Sequence, residues 1–135
     1  LISVEQISAA FRHETILVSI MMANNEIGVI QPLSAIGQLC HDRGVTLHSD
    51  ASQSLGYIDV EPDKLNIDLM SLSAHKIYGP KGIGALTVNQ TTPIIPLQVG
   101  GGQENGLRAG TAEAARRGIA GKDSGVEGPT GGDRG

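Results

Sequence analysis

A histidine and a lysine stand side by side in Ser73-Ala74-His75-Lys76-Ile77-Tyr78-Gly79-Pro80-Lys81-Gly82, after an apolar run and before a rigid Gly-Pro-Lys-Gly turn. A lysine held on such a turn can do covalent amine chemistry, provided its amine can be neutral, because an ammonium cannot attack a carbonyl. Twenty-six residues upstream, Asp50 closes a second apolar run, Val45-Thr46-Leu47-His48-Ser49. A lysine that can form a Schiff base and an aspartate that can face a pyridinium nitrogen are what a protein supplies to pyridoxal phosphate. Taken singly, each residue has a plainer reading: lysines mostly lie on solvated loops, and an aspartate after a strand most often caps a turn.

The elements that must carry these residues are legible in outline. Ser3 and Gln6 are spaced as a capping box, and Val4, Ile7, Ser8 and Phe11 share a helical face, so a short helix ending near Arg12 is expected. Thr15 to Met22 is apolar and β-branched with little alternation, the pattern of a strand covered on both faces. A polar loop, Ala23 to Gly28, follows it. Pro32 suits the first turn of a helix. Leu33, Ile36, Gly37, Leu39 and Cys40 give that helix an apolar face, and Gly44 stands where a C-terminal glycine belongs. Val45 to Ser49 then completes a strand–helix–strand unit, expected to be right-handed. Ile67 to Ser73 and Ile83 to Val88 read as a third and a fourth strand. Asn25, Asp50 and Lys76 then lie just past the carboxyl ends of strands, where open parallel α/β sheets bind ligands.

Composition narrows the alternatives. At 135 residues, with 39% apolar and 18% charged residues, the length prior is one globular domain. Phe11, Tyr57 and Tyr78 are the only aromatics, so the core falls to Ile, Leu, Val, Ala and Met. The net charge is −4 and the basic residues are scattered, which argues against a nucleic-acid surface. Ile16 to Ala23 is far shorter than the roughly 20 residues of a spanning helix, so no membrane partner is expected. The single cysteine, Cys40, excludes a disulfide framework and suits a reducing compartment, with the cytoplasm as the expectation. His41 and His48 fall on different elements without a second ligand pair, so no metal site is expected. Asp59, Glu61, Asp63 and Asp68 read as a solvated face, and Lys81 as a surface charge.

Asn24-Asn25-Glu26-Ile27-Gly28, His48 to Gly56, Ser73 to Gly82, and Gly100-Gly101-Gly102-Gln103-Glu104 with Arg108-Ala109-Gly110-Thr111 occur in this order. Together, from about Thr15 to Thr111, they resemble the cysteine desulfurases of the class V aminotransferase family, fold-type I pyridoxal-phosphate enzymes. The chain resembles about the middle third of such an enzyme. The resemblance implies an α/β fold, the mostly parallel sheet of the large cofactor-binding domain, with the start of a small domain. Residues 1–98 would belong to the large domain and 99–117 to a glycine-rich loop and the start of the small-domain segment. Residues 118–135, seven of them glycine, would form a disordered or aberrant tail.

The resemblance also assigns roles. Lys76 is the Schiff-base lysine, and His75 and Ser73 help hold the phosphate and the lysine region. Asp50 pairs with the pyridinium nitrogen. Gln53 and Asn25 contact the phenolic-oxygen side of the ring. Thr111 reaches the phosphate of a neighbouring subunit's cofactor, which implies a homodimer. The implied reaction takes sulfur from L-cysteine, leaving L-alanine and an enzyme persulfide for a sulfur-acceptor protein in iron–sulfur cluster assembly. Selenocysteine lyase, another class V enzyme and a non-catalytic truncated remnant are the alternatives.

Some features depart from the family pattern. Asn105 occupies a position that is usually basic, and the sequence turns glycine-rich after Ala112 where a helix is expected. Cys40 shares the apolar face of Leu33, Ile36 and Leu39, so it is expected to be a buried hydrophobe rather than the mobile persulfide cysteine. A chain that opens at Leu1 reads as part of something longer, inactive alone, and four strands without neighbours are expected to aggregate.

Overall fold

The computed structural model describes residues 1–110. Its architecture is α/β: helices α1 (Val4–Ala10) and α2 (Leu33–Asp42) and strands β1 (Leu17–Met21), β2 (Thr46–Asp50), β3 (Leu69–Ser73) and β4 (Gly84–Val88). The strands form one sheet in the order β1-β2-β3-β4. The first three are parallel, with Met21 beside Asp50 and Asp50 beside Ser71, and β4 runs antiparallel to β3. Three carboxyl ends therefore share one edge of the sheet. Asp50 is the last residue of β2 rather than the first beyond it.

Local chemistry sets the helix ends. The Ser3 hydroxyl accepts from the Gln6 amide while the Gln6 side chain accepts from the Ser3 amide, the reciprocal capping box. At the end of α2, the Val45 amide donates to the Cys40 carbonyl and the Gly44 amide to that of His41. This pairing requires a left-handed residue at position 44, and Gly44 adopts φ +66°. The Arg43 guanidinium lies 5.2 Å from the Phe11 ring centroid and donates to Ser8 Oγ, tying α1 to the end of α2.

Leu33, Ile36 and Cys40 recur at helical spacing on the buried face of α2. They pack against Ile20, Leu47 and Met70, which point from β1, β2 and β3 to the same side of the sheet. Ile58, Val60 and Leu65 of the helix-free crossover between β2 and β3 complete that layer. The opposite face, with Leu17, Met21 and Leu86, is substantially exposed. No helix among the described residues is long and apolar enough to cross a membrane.

Asp68 corrects the expectation of a solvated acidic face. Its Oδ2 accepts from the Leu47 amide at 2.8 Å, and its Oδ1 lies 3.2 Å from His41 Nε2, so it pins the start of β2 to the end of α2. Its side chain is only 12% exposed.

Cys40 is fully buried. Burial and, secondarily, the negative charge of Asp68 push its thiol above the usual value. Because the pKa is raised in the folded state, its contribution is fully present below the ordinary thiol pKa of about 8.5 and is lost as pH rises through the folded value. Alkylation of Cys40 by iodoacetamide at pH 8 is therefore expected to proceed only as fast as the protein opens. Stability is expected to decline in alkali less steeply in Cys40→Ala than in the parent. Labelling at the rate of a free thiol would contradict this burial.

Candidate functional site

Of the residues singled out for the cofactor, Asn25, Asp50, Gln53, Ser73, His75 and Lys76 sit at a strand end or within four positions after it, along the edge shared by β1, β2 and β3. After β1 the chain makes a tight loop closed by the Ala23–Ile30 bridge. Asn24 folds this loop: its Oδ1 accepts from the Glu26 and Ile27 amides, and its carbonyl accepts from Gly28, which has φ +66°. Asn24 is thus occupied by its own turn, and Asn25 is exposed next to it.

Asp50 is exposed at the end of β2, and its Oδ1 accepts from the Ser52 amide at 2.9 Å. That contact directs the carboxylate while leaving acceptor capacity on both oxygens. The following turn is held by the Ser54 and Leu55 amides donating to the Ala51 carbonyl, and Gln53 lies half-buried on it.

At the end of β3 the chain leaves Ser73 into a single 3-10 turn, Ala74–Lys76. Ala74 is buried, its amide donates to the Ile83 carbonyl, and its own carbonyl accepts from Ile77 and Gly79. A Cβ on Gly79 would lie 2.8 Å from the Ala74 carbonyl oxygen, so only glycine lets the loop close this tightly. Tyr78 is held at φ +62°, a conformation that costs a non-glycine residue energy and collects at functional loops. Lys76 is half-buried and His75 exposed. Among the described residues no ion pair joins Lys76 to an acid or Asp50 to a base. Thr111 lies outside the described residues.

Ser52 was not among the residues flagged by sequence, yet it touches both halves of this edge. Its amide meets Asp50, and its hydroxyl donates to Ser73 Oγ at 3.1 Å, 21 positions away. The Asp-Ala-Ser spacing suits the first contact, an aspartate accepting from the amide two residues on; no local signal announces the second. His48 stands on the open face of the sheet, with Nδ1 2.7 Å from Ser19 Oγ.

The edge thus presents an amine, a carboxylate, hydroxyls, an imidazole and side-chain amides. An amine can bond a carbonyl carbon, a carboxylate can hold a protonated ring nitrogen, and hydroxyl and imidazole N–H groups can donate to an anion.

A family model described as aminotransferase class-V matches residues 1–121, wider at both ends than the motif-bearing stretch. The chain is 50% identical over 126 residues to the cysteine desulfurase IscS of Clostridium botulinum (strain Kyoto / Type A2), covering 93% of this chain and 31% of that protein. It is 57% identical over 113 residues to the mitochondrial cysteine desulfurase of Arthroderma benhamiae (strain ATCC MYA-4681 / CBS 112371), covering 82% and 22% respectively. The chain thus spans less than a third of the length of these curated relatives. Of the solved structures, one described as SspA in complex with cysteine superposes with a TM-score of 0.83 at 44% identity, over 93% of this chain and 36% of that one. A NifS-like protein superposes with a TM-score of 0.85 at 38% identity, over 93% and 35%.

Proposed function

The chain belongs to the class V aminotransferase family, and from that premise we propose that its residues carry the cofactor-anchoring part of a pyridoxal-phosphate-dependent cysteine desulfurase. The observation that carries the reading is the convergence of Lys76, Asp50 and Ser73 on one edge, at the ends of neighbouring parallel strands. The donor set suits this cofactor: an amine for its aldehyde carbon, a carboxylate for its ring nitrogen, and hydroxyl and imidazole donors for its phosphate. When bound, pyridoxal 5'-phosphate supplies an electron sink for negative charge developing on a substrate carbon.

In this reading, Lys76 Nζ would hold the cofactor covalently, and the same amine would accept or return a proton at the substrate. The 3-10 turn and the Gly79 contact fix where that amine can reach. Asp50, directed by the Ser52 amide, keeps a proton on the ring nitrogen. Gln53 and Asn25 orient the ring from the neighbouring strand ends, and Ser73 and His75 donate to the phosphate. Thr111 is assigned to the phosphate of a second subunit, which makes the proposed enzyme a homodimer.

Cys40 is sealed in the core, so the reaction requires a sulfur-accepting thiol that these 135 residues do not supply. The proposed products are L-alanine and a persulfide, passed to a sulfur-acceptor protein for iron–sulfur cluster assembly. The proposed compartment is the cytoplasm, where reducing conditions keep such a thiol free.

The test is incubation of the protein, in its full-length context, with L-cysteine, pyridoxal 5'-phosphate and a reductant. Equimolar alanine and sulfide are expected, both dependent on the cofactor. Turnover of L-selenocysteine with none of L-cysteine would favour a selenocysteine lyase, and no alanine from either would defeat the reading.

A further inference from the structure

We propose that Ser52 is a positioning residue that orients the Ser73 hydroxyl toward an anion at this edge. The inference rests on the cofactor reading above and names a device within it. Ser73 occupies the N-cap position of the Ala74–Lys76 turn, yet its side chain makes no capping hydrogen bond. Serines at that position normally spend the side-chain oxygen on the turn's own amides. Here the oxygen instead accepts from Ser52 Oγ at 3.1 Å. A hydroxyl has one proton and two lone pairs, so a Ser73 oxygen that accepts from Ser52 keeps its own proton to donate elsewhere.

Ser52 is itself held, because its amide donates to Asp50 Oδ1 at 2.9 Å. The result is a relay of fixed contacts from the carboxylate at the end of β2 to the hydroxyl that precedes the Lys76 turn. Both serine side chains are partly buried, which limits the water available to replace the link. The ligand chemistry this selects is a phosphate monoester placed beside the Lys76 amine.

The experiment compares pyridoxal 5'-phosphate with pyridoxal, which has the aldehyde and ring but no phosphate. Each is titrated into the protein in its full-length context and followed by the visible absorption of the lysine-bound compound. Ser52→Ala is expected to weaken binding of pyridoxal 5'-phosphate by about tenfold, the scale of one hydrogen bond to a charged group. Pyridoxal affinity should not change. Ser52→Thr, which keeps the hydroxyl, should restore the parent value. In a Ser73→Ala background the Ser52→Ala effect should vanish, because the two residues act through one hydroxyl.

Equal losses for pyridoxal and its phosphate would overturn the inference, since Ser52 would then support the edge as a whole. So would a full Ser52→Ala effect in the Ser73→Ala background. If the parent protein shows no lysine-bound absorption with either compound, the cofactor reading fails, and the inference with it; that result is distinct from a normal parent and an unaffected Ser52→Ala.

Discussion

Replacing Lys76 by alanine is expected to remove covalent capture of pyridoxal 5'-phosphate altogether. In the full-length context, under the proposed function, it should also lower desulfurase turnover by at least 10²–10⁴-fold, on the order of what a positioned proton-transfer group alone contributes. The two losses have separate causes. Without Nζ there is no amine on the 3-10 turn to bond the aldehyde, so borohydride treatment should leave no cofactor-labelled peptide spanning residues 74–79. Without the same atom, no amine on this turn would be placed to accept or return a proton at the substrate. Lys76→Arg should fail as completely, because a guanidinium stays protonated in proteins and cannot act as the amine nucleophile. Lys81→Ala is the matching control: Lys81 is exposed, five positions along the same loop, and its loss should leave labelling and turnover unchanged. Asp50→Asn separates the ring-nitrogen role from the anchoring role. That variant should still be labelled at Lys76 while turning over slowly, because its amide cannot stabilise a protonated ring nitrogen as a carboxylate does. Labelling of Lys81 in the parent, or undiminished turnover in Lys76→Ala, would move the chemistry off this turn.

The parts of the fold that were legible in the sequence are those whose causes are local. The Ser3–Gln6 capping box and the glycine end of α2 each involve residues within five positions, and both form as their spacing implies. The strand–helix–strand unit follows from a change in apolar periodicity, again local. Contacts made across the sheet could not be read. Asp68 has the look of one more acid on a connecting segment, yet it meets Leu47 and His41, 21 and 27 positions away. The direction of β4 was hidden as well. Its apolar run is the same whichever way it pairs, and only the tight Ala74–Gly79 loop brings it back antiparallel. Site residues behaved likewise. Asn25, Asp50 and Lys76 could be placed at strand ends from strand ends alone. The Ser52–Ser73 link depends on the register of β2 against β3, and no spacing within either segment encodes it.

Gly37→Ala tests the packing that holds this edge in place, and its sign runs against helix propensity. In an exposed helix interior this change stabilises by about 1 kcal/mol, because alanine has less backbone freedom to lose. Gly37 is instead buried at the point where α2 meets the crossover between β2 and β3. A Cβ there would lie 2.5 Å from the Asn66 carbonyl oxygen, 2.6 Å from Asn66 Cβ and 2.8 Å from the Leu65 carbonyl oxygen. Two of the three are backbone atoms. They belong to a segment that cannot simply swing aside: Leu65 packs against the core, and Asn66 is held at φ +54° with its side chain donating to the Ser34 carbonyl. Relief requires α2 to retreat from the sheet, which would loosen Ile36 and Cys40, both fully buried. Overpacking of this kind outweighs the propensity gain, and a net loss of about 2–3 kcal/mol is expected. In the full-length context that loss is expected to be read as a lowered thermal midpoint. Adding Asn66→Gly removes the Cβ contact but not the 2.5 Å approach to the carbonyl, so the double variant should recover only part of the loss. Gly44→Ala provides the contrast. Nothing lies within 4 Å of its Cβ, so its cost is conformational, roughly 1–2 kcal/mol for an alanine at φ +66°, and Gly44→Asn should recover most of it. A Gly37→Ala protein that melts at or above the parent would show that α2 can shift away from the crossover at little cost. The strand ends bearing Asp50 and Lys76 would then owe their placement to something other than this layer.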